Sequence, residues 1–137
     1  DLPYKFEAGT PNIADVIALR EAILFIQEHD KATMAAYEHD LLQYATAKVA
    51  ALPGVRLVGT APEKVSILAF VVDGIHHFDI GQMMDTRGIA VRTGHHCTQP
   101  LMDRYQLEGT VRASFAIYNT REEVDALAET LGRIINF

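Results

Sequence analysis

Val65-Ser66-Ile67-Leu68-Ala69-Phe70-Val71-Val72, closed by Asp73-Gly74, separates two kinds of pattern in this chain. A near-continuous apolar run bounded by turn residues suits a buried central strand, and Asp-Gly favours the turn that ends it. Upstream the spacing is helical. After Asn12, Val16, Leu19, Ile23 and Ile26 recur at three- and four-residue steps, as one helical face requires. Tyr37, Leu41, Tyr44, Ala45 and Leu52 mark the buried stripe of a second helix from about Lys31 to Leu52, and Pro53-Gly54 stops it. Val55 to Gly59 then reads as a short strand. Downstream, Ile80, Met83 and Met84 place a helix over Phe78 to Thr86, with Arg87-Gly88 as its C-terminal cap. Ile89 to Val91 is a further short strand. Thr110 to Ala116 is another, with Val111, Ala113 and Phe115 on one face. Thr120 and Glu123 form a capping box, and Val124, Leu127, Leu131, Ile134 and Ile135 line the helix it begins. The expected fold is α+β, with helices covering one face of a short, largely antiparallel sheet. Residues 1–12, punctuated by Pro3, Gly9 and Pro11, read as irregular, and the domain as 13–137.

Size and composition narrow the function. A chain of 137 residues suggests one domain, and about two-thirds of its unfolded surface can be buried. A net charge of -6 with no basic run argues against a nucleic-acid partner. The longest apolar run is about eight residues, against the ~20 that span a bilayer, so no membrane is implied. A single cysteine excludes an internal disulfide, and nothing calls for an oxidising compartment. The first residues, Asp1-Leu2-Pro3-Tyr4-Lys5-Phe6, lack a signal-peptide pattern and an initiating Met, and read as the middle of a longer protein.

The one cysteine lies in Arg92-Thr93-Gly94-His95-His96-Cys97-Thr98-Gln99-Pro100. A free cysteine is most often a small buried hydrophobe, yet these neighbours are polar and basic. Thiolate is the nucleophile, and cationic neighbours raise its fraction. Gly94 permits a sharp turn and Pro100 stops regular pairing beyond it. A metal site is the rival reading, since two His and one Cys supply three donors. Adjacent side chains on an extended segment point to opposite faces, however, and structural zinc wants spaced ligand pairs. His76 and His77 would complete such a set only by tertiary chance, so no metal is expected.

This loop, followed by Pro100-Leu101-Met102, resembles the active-cysteine loop of group II, SufS-type cysteine desulfurases of the class V aminotransferase family. So do Val111-Arg112-Ala113-Ser114-Phe115-Ala116-Ile117-Tyr118-Asn119-Thr120 with Glu122-Glu123-Val124-Asp125, and Phe6-Glu7-Ala8-Gly9-Thr10-Pro11-Asn12. The resemblance spans nearly the whole chain but only the C-terminal third or so of the family's length. It implies the small C-terminal domain of a pyridoxal-phosphate enzyme of the aspartate-aminotransferase fold type. Such enzymes take sulfur from L-cysteine as an enzyme persulfide, leave alanine, and feed iron–sulfur cluster assembly through a sulfur acceptor of the SufE or SufU type. The resemblance also implies a cytoplasmic homodimer. By position, Cys97 resembles the sulfur acceptor and Arg112 the arginine on the substrate carboxylate. Arg92, His95 and His96 resemble loop residues at the mouth of the site, Arg92 on the substrate side, and His96 beside the thiol suits proton transfer because imidazole ordinarily titrates near neutrality. Gly9 and Thr10, within 1–12, resemble the segment that reaches the cofactor phosphate of a dimer partner. The family has alanine where this chain has Thr98. The lysine that carries the cofactor belongs to a preceding large domain, and Lys5, Lys31, Lys48 and Lys64 match no such motif. The chain alone is therefore expected to be inactive. A selenocysteine lyase domain and a stand-alone persulfide carrier are the alternatives.

Overall fold

The apolar run around Phe70 becomes the second strand of a four-stranded sheet in the computed structural model, which describes residues 1–137. Its strands are β1 (Val55–Val58), β2 (Ile67–Val72), β3 (Arg92–Gly94) and β4 (Thr110–Ser114), in the order β1-β2-β4-β3. Every pairing is antiparallel, with Val55 opposite Val72, Ile67 opposite Ser114 and Arg92 opposite Arg112. The chain divides into two units, Asp1–Ala35 and Ala36–Phe137, and the sheet belongs to the second.

In this second unit one face of the sheet is covered. Leu68, Phe70 and Val72 on β2 and Val111 and Ala113 on β4 are at most 5% exposed. They join Leu41, Ala45 and Val49 of α2 (Lys31–Ala50), Ile80 and Met84 of α3 (His77–Asp85), and Val124, Leu127 and Leu131 of α5 (Arg121–Ile135) in one core. The other face is open enough that Ile67, Ala69 and Val71 are only partly buried. The run is thus central in the sheet, but it alternates rather than being buried throughout, because helices cover one face only. Val65 is 72% exposed and precedes the strand. Burial of each large core side chain contributes about 1.5–3 kcal/mol.

Local signals set the ends of elements. α5 begins at the capping box: Thr120 Oγ1 accepts the Glu123 N–H at 3.3 Å, and Glu123 Oε2 accepts the Thr120 N–H at 3.1 Å. Its buried stripe keeps Val124, Leu127, Leu131 and Ile134 as expected and adds Ala128, while Ile135 is only partly buried. α2 ends at Ala50, before Leu52, and its buried residues are Leu41, Leu42, Ala45 and Val49, whereas Tyr37 is 42% exposed. Two expectations fail between α3 and β4. The strand expected at Ile89 to Val91 forms at Arg92–Gly94 instead, because register with β4 decides which residues pair. Pro100 does not merely end pairing. It sits in the first turn of a further helix, α4 (Gln99–Tyr105), where a missing N–H costs nothing.

The first unit contains a 3-10 turn at Tyr4–Phe6 and α1 (Ile13–Gln27). Residues 1–12 thus include one 3-10 turn, and the first unit runs to Ala35. Asn12 caps α1, its side chain accepting the Asp15 N–H at 3.2 Å. Val16, Leu19, Ile23 and Ile26, expected on a buried face, are 65%, 57%, 46% and 46% exposed. α1 buries no residue.

Candidate active site

The antiparallel pairing of β3 and β4 sets Arg92 directly across from Arg112, and Gly94 across from Thr110. Like charges directly opposite repel. Neither guanidinium has a carboxylate partner, and the buried Nε of Arg112 has no hydrogen-bond partner at all. On its other side Arg112 faces Ala69 of β2, a residue too small to fill the space above it. The arrangement is an unneutralised cationic pair on the open face of the sheet, suited to a carboxylate or another anion.

From β3 the chain turns sharply. Gly94 has φ 114, a conformation other residues rarely adopt. His96 and Cys97 follow at φ 55 and 61, two successive non-glycine residues in the left-handed region. Each such residue costs about 1–2 kcal/mol, so other contacts must hold the turn. The Cys97 N–H donates to His95 Nδ1 at 3.1 Å. Thr98 donates to the His95 carbonyl twice, from its N–H at 2.9 Å and its hydroxyl at 2.8 Å. An alanine at 98 would lack the second bond. His96 turns inward, its Nε2 lying 2.8 Å from Thr110 Oγ1 and 3.2 Å from the Thr110 carbonyl oxygen. α4 then takes up the chain.

The turn leaves Cys97 exposed at the surface, with its sulfur 3.8 Å from Arg92 Nη2. No hydrogen bond joins His96 to that sulfur; the histidine's contacts are to Thr110. Burial lowers the His96 pKa below 6.5, helped by the charges of Arg112, Arg92 and His77 and opposed by the Thr110 carbonyl. His77 is likewise lowered, first by burial and then by His76. Both rings are therefore held toward the neutral form, and each has a buried Nδ1 without a partner.

Three participants lie outside the expected site, His77 having entered the sequence reading only as half of a chance metal pair. Thr110 opens an apolar strand and is the one buried polar residue, at 1% exposure. His77 stacks on His76 with ring centroids 4.1 Å apart, and His76 meets Glu108 at 3.2 Å. Gly109 lies against His77: a Cβ there would stand 2.5 Å from His77 Nε2 and 2.8 Å from the Gly94 carbonyl carbon. Only the pairing of β4 with β3 and the placement of α3 bring these residues to the cysteine loop.

Gly9 and Thr10 lie in the first unit. Both are exposed, along a shallow hollow lined by Glu7 to Pro11. Nothing stands within 4 Å of where a Gly9 side chain would begin, so the backbone there is open to close approach. No three His, Cys, Asp or Glu side chains converge at metal-binding distance.

Comparison with known proteins adds a family and several relatives. The family model for class V aminotransferases matches residues 1–127. A probable cysteine desulfurase of Mycolicibacterium paratuberculosis is 53% identical over 132 residues, covering 96% of this chain and 19% of that protein. The crystal structure of the cysteine desulfurase CsdA from Escherichia coli superposes with a TM-score of 0.89 at 39% identity, over 98% of this chain and 33% of that one. An apo cysteine desulfurase from Thermococcus onnurineus NA1 gives a TM-score of 0.90 at 34% identity, over 98% and 34%. The chain thus spans about a fifth to a third of these proteins.

Proposed function

Since the chain belongs to the class V aminotransferase family, we propose that it is the thiol-bearing C-terminal portion of a pyridoxal-phosphate-dependent cysteine desulfurase. One observation carries the reading: an exposed thiol on a left-handed turn, 3.8 Å from Arg92 on the edge strand β3, which pairs with a second arginine on β4 whose buried Nε is unpartnered. The reaction balances as L-cysteine plus the Cys97 thiol giving L-alanine plus a Cys97 persulfide. The substrate Cβ–S bond breaks, and an S–S bond forms to Cys97. Arg112 takes the substrate carboxylate through its planar fork. Arg92 supplies positive charge beside the attacking sulfur.

The cofactor fits this chain in part. The Thr10 hydroxyl, exposed beside Gly9 and without an internal hydrogen bond, offers the donor chemistry that a phosphate takes. Lys48 is engaged by Asp125 at 2.9 Å and Lys64 by the Gly59 carbonyl at 3.2 Å, so neither is available at the cysteine loop. The cofactor's lysine is assigned to a longer parent chain; in this chain α1 leaves Ile13, Val16, Ile17, Leu19 and Phe25 exposed. Bound pyridoxal phosphate supplies the electron sink that loosens the substrate's Cβ–S bond.

The finer assignment follows the same reading: a SufS-type homodimer passing sulfur to a SufE- or SufU-type acceptor for iron–sulfur cluster assembly. A persulfide carrier is the second reading, favoured by the exposure of Cys97. The two separate in one experiment. A parent-length protein makes alanine from cysteine in equal amount to protein-bound persulfide, and Cys97→Ser abolishes the persulfide while leaving cofactor absorbance unchanged. The carrier reading instead requires that this chain accept sulfur only from another protein's persulfide. The chain alone, mixed with cofactor and cysteine, makes no alanine above the free-cofactor background.

A further inference from the structure

We infer that Thr110 is a positioning residue that holds His96 in the tautomer protonated on Nε2, so that the buried Nδ1 is kept as a bare lone pair. The geometry decides the tautomer. A carbonyl oxygen only accepts hydrogen bonds, and the Thr110 carbonyl lies 3.2 Å from Nε2. The hydroxyl of the same residue, at 2.8 Å, lies on the same nitrogen. A hydrogen on Nε2 serves both contacts, whereas a bare Nε2 would face the carbonyl lone pairs. The second nitrogen, Nδ1, is buried and has no partner. A hydrogen there would be an unsatisfied buried donor, the costlier arrangement.

Three further observations fit. Thr110 is 1% exposed, so its hydroxyl is enclosed and its rotamer held by packing. Gly109, lodged between the His77 ring and the Gly94 backbone, fixes the start of β4 behind it. Thr110 and Arg112 are two residues apart on β4 and share the face opposite the core residues Val111 and Ala113. The clamp also ties down the turn, because His96 at φ 55 is the first of its two left-handed residues. The inference deepens the desulfurase reading at one point only. On that reading, the clamp fixes the ring next to Cys97 and so the turn that presents the thiol.

Imidazole nitrogen NMR on the 15N-labelled chain at neutral pH tests this, with His96→Gln used to assign the His96 signals. The wild-type chain should show a single neutral tautomer with hydrogen on Nε2, and Thr110→Ser should keep it. Thr110→Val preserves shape and the carbonyl but removes the hydroxyl, and should keep the hydrogen on Nε2 while shifting the Nε2 signal, because one of its two contacts is lost. Hydrogen on Nδ1 in the wild-type chain, or a charged ring, overturns the inference, and that measurement needs no substitution that threatens folding. A Thr110→Val spectrum identical to wild type also overturns it. Neither result bears on the desulfurase reading, which falls instead if the parent makes no alanine from cysteine.

Discussion

Gly109→Ala probes the packing behind the cysteine loop. The added Cβ would lie 2.5 Å from His77 Nε2, 2.7 Å from His77 Cδ2 and 2.8 Å from the Gly94 carbonyl carbon. Favourable contacts lie at about 3.5–4.0 Å, so neighbours must move by roughly an ångström. Gly109 is not in the left-handed region, so its backbone accepts alanine and the conflict is steric alone. The His77 ring cannot simply swing aside, being partly buried and stacked on His76. Gly94 is backbone, and it opens the turn that carries Cys97. Overpacking of this kind costs about 1–3 kcal/mol. With a urea slope of about 1–3 kcal/mol/M, the unfolding midpoint of the chain should fall by roughly 1 M. His77→Ala clears two of the three contacts, so the double variant should lose less stability than the sum of the singles, with a coupling of at least about 0.5 kcal/mol. A wild-type midpoint in Gly109→Ala, or strict additivity with His77→Ala, would refute the reasoning.

Three other outcomes follow from the same geometry. Cys97 should be alkylated by iodoacetamide in the native chain, since it is exposed beside Arg92; reaction only after unfolding would return it to the class of buried structural thiols. In the parent, Arg112→Ala should lower kcat/KM on cysteine by about ten- to a hundredfold, from a charge-assisted bond worth about 1.5–3 kcal/mol. Arg112→Lys should recover only part, because an ammonium cannot form the fork, and an unchanged kcat/KM in Arg112→Ala removes the carboxylate role. His77 and His96 have pKa values lowered from 6.5 by burial, so below that value the unfolded chain binds more protons than the folded one. Stability should therefore be full above pH 6.5 and fall as acidity carries the pH down through the two lowered values. His77→Gln/His96→Gln should flatten that slope in urea titrations between pH 7.5 and pH 5, and a wild-type slope in the double variant would assign the effect elsewhere.

Much of this protein is written in short-range chemistry. Asn12 and the Thr120–Glu123 box start helices through hydrogen bonds to their own next turn, and the stripe from Val124 to Ile134 repeats at the helical period. The alternation of Val111 and Ala113 marks the core face of β4. The polar and basic setting of Cys97 was legible for the same reason, since it lies among near neighbours in sequence. Other features depend on residues far apart in the chain. Whether Ile89 or Arg92 pairs with β4 is a matter of register, and Pro100 reads equally as a stop or as the first turn of α4 until the loop before it is built. The approach of Arg92 to Arg112, the enclosure of Thr110 by His96, and the lodging of Gly109 under His77 each require two or three elements to be docked. Periodicity and capping act over a few residues and so show in the sequence. The left-handed turn at His96 and Cys97 opposes local preference, and only contacts made across the folded sheet keep it in place.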